Sequence, residues 1–376
     1  MLLRKNVIIP CIVSTFLIGL IFKGSIVGAV TVIFNAQMAA LVELGSIFLI
    51  IALMVAMLKA LTVTGADLLM VAPLKKLMVS PLISYVVIAV SAYIVSLFFW
   101  PTPAIPLVGT LLVPAAIKAG LPPIAAAVAI ALAGQGMALS ADMVIQGAPG
   151  LSAAAAAVSV NDVTYRATIL SAITGIIALG MAYFMMKKDI ATFDPNDSEV
   201  AMSNDATVSE DKKGAAYAPF LVGLLLVSMA AVIFAMVAFE IRGGDAAALL
   251  GGTAVFIMTI ATLLAEGFEG FDKIADHITD GLCFAFNVMG QILPIAGFFF
   301  LGNPEAVVGI MGEGAPGYLF DIGQMMAQTI PAQGLLSAFG MLGIGIITGL
   351  DGSGFSGLPM TGTLSGAIAS GNQALA

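Results

Sequence analysis

The sequence predicts an all-α polytopic membrane protein, and three observations carry that prediction. Of its 376 residues 60% are hydrophobic and only 10% charged, where a soluble domain needs about 25% charged residues to face water. The mean hydropathy is +1.09. The apolar segments are long and unbroken, as helices crossing a bilayer require, rather than the short alternating segments of about ten residues that make a membrane barrel. With no water at membrane depth, backbone groups must pair inside the segment, which leaves helices as the building unit.

Stretches near the 20 or so residues a span needs occur at 6–22, 38–61, 81–100, 121–141 and 164–186, and again at 217–240, 246–266, 281–302 and 332–350. The N-terminal MLLRKNVIIPCIVSTFLIGLIF has a basic head but no small-residue cleavage site close after its core, so it reads as a first membrane helix rather than a signal peptide. Residues 25–61 form an apolar run of 37 residues, too long for one straight span, and predict a broken helix or a short helix plus a span. Residues 65–79, with Asp67, Lys75 and Lys76, and residues 268–280, with His277 on the wet face, read as amphipathic helices lying in the membrane plane.

One polar segment, 187–216, divides the chain into a first membrane repeat (1–186) and a second (217–376). Its Ser, Thr, Asn and Asp content marks a flexible linker, and Lys187, Lys188, Lys212 and Lys213 at its ends place it in the cytoplasm. Seven of the chain's 22 acidic residues sit in this linker, so the net charge of −8 describes a loop and not a partner. There is no basic stripe for nucleic acid. Cys11 and Cys283 form no CxxC pair, and a single histidine excludes a multi-histidine metal site. No enzymatic activity and no cofactor are expected, beyond a coupling ion.

The halves echo each other. The 81–100 helix runs into PTPAIPLVGTL (101–111), and the 332–350 helix runs into DGSGFSGLPMTGTL (351–364). Proline and clustered glycine interrupt the helical ladder, and paired interruptions in two halves point to a transporter binding site. Broken helices offer free N–H groups to anions and free C=O groups to cations. The candidate substrate-binding residues are Thr102, Pro103, Ser353, Ser356 and Thr361, with Asn287 and Gln291 at i, i+4 on one face of the 281–302 helix; the last two serve equally as an interhelical hydrogen bond. Ionisable residues inside spans are costly and functional by default. Asp351 leads as an ion-coupling residue. Asp142, in the polar run with Gln135, Gly136, Ser140 and Gln146, is a cation ligand or the end of a helix; Glu43 carries an ion or lies near an interface. Arginine occurs only at positions 4, 166 and 242, so no arginine clamp lies in either break.

At WPTPAIPLVGTLLVPAAIKAGLPP and ITGLDGSGFSGLPMTGTL the chain resembles the ion-transporter superfamily, which includes gluconate, C4-dicarboxylate, citrate and arsenite carriers and some Na⁺/H⁺ antiporters. The resemblance implies two inverted repeats with re-entrant hairpins or broken helices, a homodimer, and a multi-pass location in a bacterial-type inner membrane. It implies uptake of a small organic anion such as a carboxylate, coupled to Na⁺ or H⁺; the alternative is a Na⁺/H⁺ antiporter without an organic substrate. The chain ends soon after the second break, so the second repeat is expected to be incomplete.

Overall fold

The computed structural model describes residues 8–156, 158–195, 213–239, 241, 243–302, 304–317, 335–349, 358, 361–362 and 364–366; among them the side chains of 102, 103, 106, 237, 243, 304, 305, 335–337, 347 and 348 are not described. Every regular element among the described residues is a helix. They are α1 (Ile8–Lys23), α2 (Ile26–Thr64), α3 (Ala66–Leu77), α4 (Pro81–Phe99), α5 (Pro101–Lys118), α6 (Pro123–Ala141), α7 (Gly147–Ala156), α8 (Val160–Met185), α9 (Lys187–Thr192), α10 (Ala218–Ala238), α11 (Gly243–Glu266), α12 (Gly270–Met289), α13 (Ile292–Phe300), α14 (Pro304–Met311) and α15 (Leu335–Gly349). Six stretches among the described residues are long and apolar enough to cross a membrane. The protein is an all-α, multi-pass membrane protein.

Contacts divide the chain into two units, each assembled from separated stretches. Unit one holds Met1–Gly45, Gly147–Tyr165 and Asn287–Ala376; unit two holds Ser46–Gln146 and Arg166–Phe286. In unit one, α1 packs on α13 and α14. Asn35 on α2 donates through Nδ2 to the carbonyl of Ile310 at 3.2 Å, satisfying a helix-end acceptor in α14. In unit two, α4, α5 and α6 pack on one another around Tyr85, Ile88, Ala92, Val108, Leu112, Leu121 and Ala129. Alanines on α6 (Ala125, Ala126, Ala129) let the helices approach closely, which is how helices associate where lipid removes the hydrophobic drive. Tyr85 fixes α8 to this group: its hydroxyl donates to the Leu179 carbonyl at 3.0 Å and its ring lies 5.2 Å from that of Tyr183. The rest of α8 presents Ile169, Leu170, Ile173, Ile176, Ile177, Met181 and Phe184 outward, an apolar face suited to lipid.

The local chemistry of the starts and stops is orthodox. Ser80 caps α4 and accepts from the Ile83 N–H at 3.4 Å, and Pro81 occupies the first turn, where its missing N–H costs nothing. Gly120, at φ 89°, ends α5 in the left-handed conformation, with Leu121 N–H donating to the Ala116 carbonyl at 2.9 Å. Lys213, where the linker re-enters the fold, donates to Glu266 at the end of α11 at 2.6 Å, and this partner holds the ammonium above its ordinary titration range.

Four expectations are corrected. Residues 25–61 are neither broken nor split: α2 is one helix of 39 residues, about 58 Å long at 1.5 Å per residue against a hydrocarbon core of about 30 Å. Its apolar residues are good helix formers without a proline, so nothing local stops it. The first break is not an unwound segment: PTPAIPLVGTL folds as the start of α5, because two of its three prolines fall in the first turn, and the interruption is the single residue Trp100. The 281–302 stretch is interrupted at Gly290–Gln291, between α12 and α13. Residues 268–280 are continuous with the apolar stretch that follows, mostly within α12.

Helices cross at glycine. A Cβ on Gly281 would run into the Ala52 carbonyl oxygen, and one on Gly297 would sit 2.6 Å from the Ala36 carbonyl oxygen. Gly223, on α10, has open space around it. Gly281→Ala and Gly297→Ala are therefore expected to lower the stability of the detergent-purified protein by about 1–3 kcal/mol through overpacking. Gly223→Ala is expected to be neutral or to stabilise by up to about 1 kcal/mol. Scanning fluorimetry of the three variants checks the contrast; equal melting temperatures would contradict these crossings.

Candidate functional site

Unit two contains two consecutive helix interruptions, and both are buried. The first is Trp100, 1% exposed and held at φ 67°, ψ 143° between α4 and α5. Backbone of this kind is nearly restricted to glycine; a bulky residue in it costs of order 1–3 kcal/mol and persists only where its surroundings impose it. The second follows α6. That helix starts as an ordinary α-helix, widens into a π-helix over Ala131–Ala138, closes with Leu139–Ala141 and stops at Asp142. Asp142 (φ 28°) and Gln146 (φ 59°) both take the left-handed conformation, and both are buried, at 3% and 5% exposure. The Gln146 N–H donates to the Asp142 carbonyl at 2.9 Å and the Asp142 N–H to the Ala138 carbonyl at 2.8 Å, so the loop closes on itself before α7 begins.

The sequence explains why the π-turn forms here. Ala131-Leu-Ala-Gly-Gln-Gly-Met-Ala carries two glycines and no β-branched residue, so the helix can widen without side-chain crowding. Neighbours then grip the widened turn. A Cβ on Gly134 would lie 3.1 Å from Ser96 Oγ and 3.3 Å from Ile105 Cγ1, so α4 and α5 meet α6 close to the Trp100 turn. From the other side, Gly175 of α8 lies against Met137 too closely to admit a Cβ. Ser171 Oγ donates to the Met137 carbonyl at 2.8 Å, and Ser140 Oγ and Ser171 Oγ are 2.9 Å apart. A carbonyl that loses its usual helical donor in a π-turn thus gains a hydroxyl donor from a neighbouring helix. Ser96 Oγ is itself buried without a hydrogen-bond partner among the described residues.

Chemically, a buried carboxylate must be protonated, hydrogen-bonded or held against a cation. The end of α6 places helix carbonyls and the Asp142 carboxyl together, both favouring a cation.

Asp142 therefore stands at a helix-ending loop that is buried. Thr102 and Pro103 lie in the first turn of α5, two and three residues past Trp100, and their side chains are not described. Glu43 is exposed on α2, in unit one. Asn287 and Gln291 are both exposed and do not share a helix: Asn287 is in the last turn of α12, and Gln291 is the N-cap of α13. Thr361 is half-buried in unit one and donates to the Leu358 carbonyl at 3.2 Å. Asp351, Ser353 and Ser356 lie outside the described residues.

Two further buried polar residues, Asp67 and Ser96, lie in the same unit. Asp67, in a stretch read as interfacial, is buried at 5% in the first turn of α3, which packs on α4, α5 and α10. It accepts from Thr62 Oγ1 at 3.2 Å and from the Leu68 N–H at 2.9 Å. The Gly65-Ala66-Asp67 run directly after a long apolar helix was the available signal. Ser96 carried none, since a serine in an apolar helix reads as ordinary.

Gln146 occupies a left-handed position that glycine would fill more cheaply. Gln146→Gly is expected to keep or raise the melting temperature, by about 1 kcal/mol of relieved backbone strain, while weakening any ligand-induced stabilisation. Loss of both folding and ligand response would instead make Gln146 a packing residue.

No known family profile matches the chain, and no solved structure matches it. It is 35% identical over 372 residues to the uncharacterized membrane protein YhfA of Bacillus subtilis (strain 168), a match covering 97% of this chain and 79% of that protein. The chain belongs to the family of the uncharacterized membrane protein YhfA.

Proposed function

We propose that this protein is a secondary active transporter of the cell membrane, in which a Na⁺ or H⁺ gradient drives uptake of a small organic anion such as a carboxylate. The observation that carries this reading is the interruption of α6 inside the protein, with Asp142 buried at the π-helical end and α7 starting five residues later. A break of this kind exposes backbone polar groups where no water can satisfy them, and is tolerated where it lines a cavity or is buried in protein. The carbonyl end of α6 beside the Asp142 carboxyl suits a cation, and a coupled carrier needs such a site. Arg166, the one arginine among the described residues, is exposed on α8, which fits an anion held by backbone dipoles and a co-bound cation.

A second reading, a Na⁺/H⁺ antiporter with no organic substrate, is favoured by Asp67. This is a second buried carboxylate in the same unit, and no cationic side chain among the described residues pairs with it. Two buried carboxylates suit a protein whose only cargo is a cation.

The test is a thermal-shift series on the detergent-purified protein against small carboxylates, in Na⁺ or in choline, at several pH values. A ligand at 100 times its Kd stabilises by about 2.7 kcal/mol. For the symporter, one carboxylate is expected to stabilise the protein, more so in Na⁺ or at low pH, and Asp142→Asn is expected to abolish the effect. Stabilisation by Na⁺ or acid alone would select the antiporter. No response to any of the three would overturn both readings.

A further inference from the structure

In unit two the ends of α3, α5 and α8, together with the short α9, converge on the start of α4. Gly120, where α5 ends, lies so close to Pro81 that a Cβ there would sit 3.3 Å from Pro81 Cγ. Tyr85, one turn into α4, donates to the Leu179 carbonyl and lies against Tyr183 near the end of α8. α3 ends at Leu77, shortly before the α4 cap Ser80. α9 is tied to the same place, since Ile190 is buried in one cluster with Val71 and Met78. Each of these elements brings lysine: Lys75 and Lys76 in the last turn of α3, Lys118 in the last turn of α5, and Lys187 and Lys188 at the start of α9, just past α8.

Charge of one sign gathers here. Elsewhere in unit two Lys59, Lys213 and Lys273 each pair with a carboxylate, at 2.6, 2.6 and 2.9 Å. Lys75, Lys76, Lys187 and Lys188 make no ion pair among the described residues. The same helix ends bring two carboxylates, Asp189 and Asp194. The helix dipole favours a lysine in a last turn, which accounts for Lys75, Lys76 and Lys118 one at a time. It does not account for their gathering with Lys187 and Lys188, since like charges on one face repel. Lys76, Lys187 and Lys188 are exposed, and so are the large apolar side chains beside them, Leu77, Val79 and Met185, at 56%, 74% and 79%. Ammonium groups interleaved with exposed apolar side chains suit neither bulk water nor hydrocarbon. They suit the boundary between the two, where the apolar groups enter the acyl region and the lysine stems reach up to the headgroups.

We propose that this face of unit two is a binding surface for anionic phospholipid, with Lys75, Lys76, Lys187 and Lys188 on the headgroups and Leu77, Val79 and Met185 against the acyl chains. Charge complementarity selects the occupant. Ammonium groups without carboxylate partners attract a headgroup of net negative charge over a zwitterionic one, and clusters of about four to eight basic residues beside a membrane helix bind anionic lipid. The exposed apolar neighbours select a lipid over free phosphate, which has no apolar part to cover them. None of these residues belongs to the break after α6, so the inference stands apart from the transport reading.

The test is lipid selectivity of the detergent-purified full chain, read by melting temperature and by native mass spectrometry in micelles doped with phosphatidylglycerol or with phosphatidylcholine. Phosphatidylglycerol is expected to raise the wild-type melting temperature more than phosphatidylcholine does. Roughly tenfold more NaCl, which shortens the Debye length about threefold, is expected to shrink that difference. Each lysine changed to glutamine is expected to weaken phosphatidylglycerol binding about fivefold at low salt. The Lys75→Gln, Lys76→Gln, Lys187→Gln, Lys188→Gln chain then loses the preference, while arginine at the same four positions keeps it. A Lys59→Gln, Lys273→Gln chain, which loses two paired lysines instead, keeps it as well. The salt series uses the wild type alone and decides the matter even where the glutamine chain fails to fold. Equal responses of the wild type to both lipids, a phosphatidylglycerol preference indifferent to salt, or one that survives the loss of all four lysines overturns the proposal. Glycerol phosphate that stabilises as well as phosphatidylglycerol overturns the choice of a lipid as occupant.

Discussion

A backbone amide at membrane depth has no water to bond to, and the arrangement of this protein follows from that constraint. Each unpaired N–H or C=O in hydrocarbon costs several kcal/mol, so the chain is helix wherever it can be, including a 39-residue helix that no local signal interrupts. At the break in α6, protein supplies partners that the widened helix lacks. The π-turn of α6 is the clearest instance: Ser171 on α8 donates to the Met137 carbonyl, and Ser140 bonds back to Gly136 and across to Ser171. The widened turn is held by a network of hydroxyls.

Small residues make that network possible. Hydroxyl bonds to another helix's backbone need short axis separations, and these occur where glycine and alanine line the crossing. Gly175 against Met137 and Gly134 against Ser96 and Ile105 bring α8, α4 and α5 onto the π-turn. The same device recurs away from the site, at Gly281 over Ala52 and at Gly297 over Ala36. Leucine or valine at these positions would part the helices and leave the π-turn carbonyls without donors, so site geometry and packing rest on the same residues.

How much of this was legible in the sequence depends on the range over which the signal acts. The spans at 81–100 and 121–141 emerged within two residues of α4 and α6, and that at 164–186 within four of α8, because hydropathy and proline starts are local. The polar run from Gln135 to Gln146 was visible for the same reason, and its last members, Asp142 and Gln146, are buried at the break. Position within a helix was harder to read. Pro101 and Pro103 look like helix breakers in isolation, yet in the first turn their missing N–H groups are ones a helix leaves unpaired anyway. Asn287 and Gln291 matched an i, i+4 spacing, but Gly290 between them ends one helix before the next begins. Asp67 read as interfacial because charge beside an apolar run usually is; its burial comes from α4, α5 and α10, which no local pattern encodes.

The break after α6 carries a carboxylate at an energetic cost. A left-handed Asp142 and a left-handed Gln146 each forgo backbone stability that glycine would restore. A buried carboxyl adds a desolvation cost of several kcal/mol when ionised. A sequence under pressure for stability alone would place glycine at both positions. On the transporter reading proposed above, an ion bound at the break would stabilise the fold by mass action. On that reading the free energy of ion binding would be available to change which conformation the helices around the break prefer.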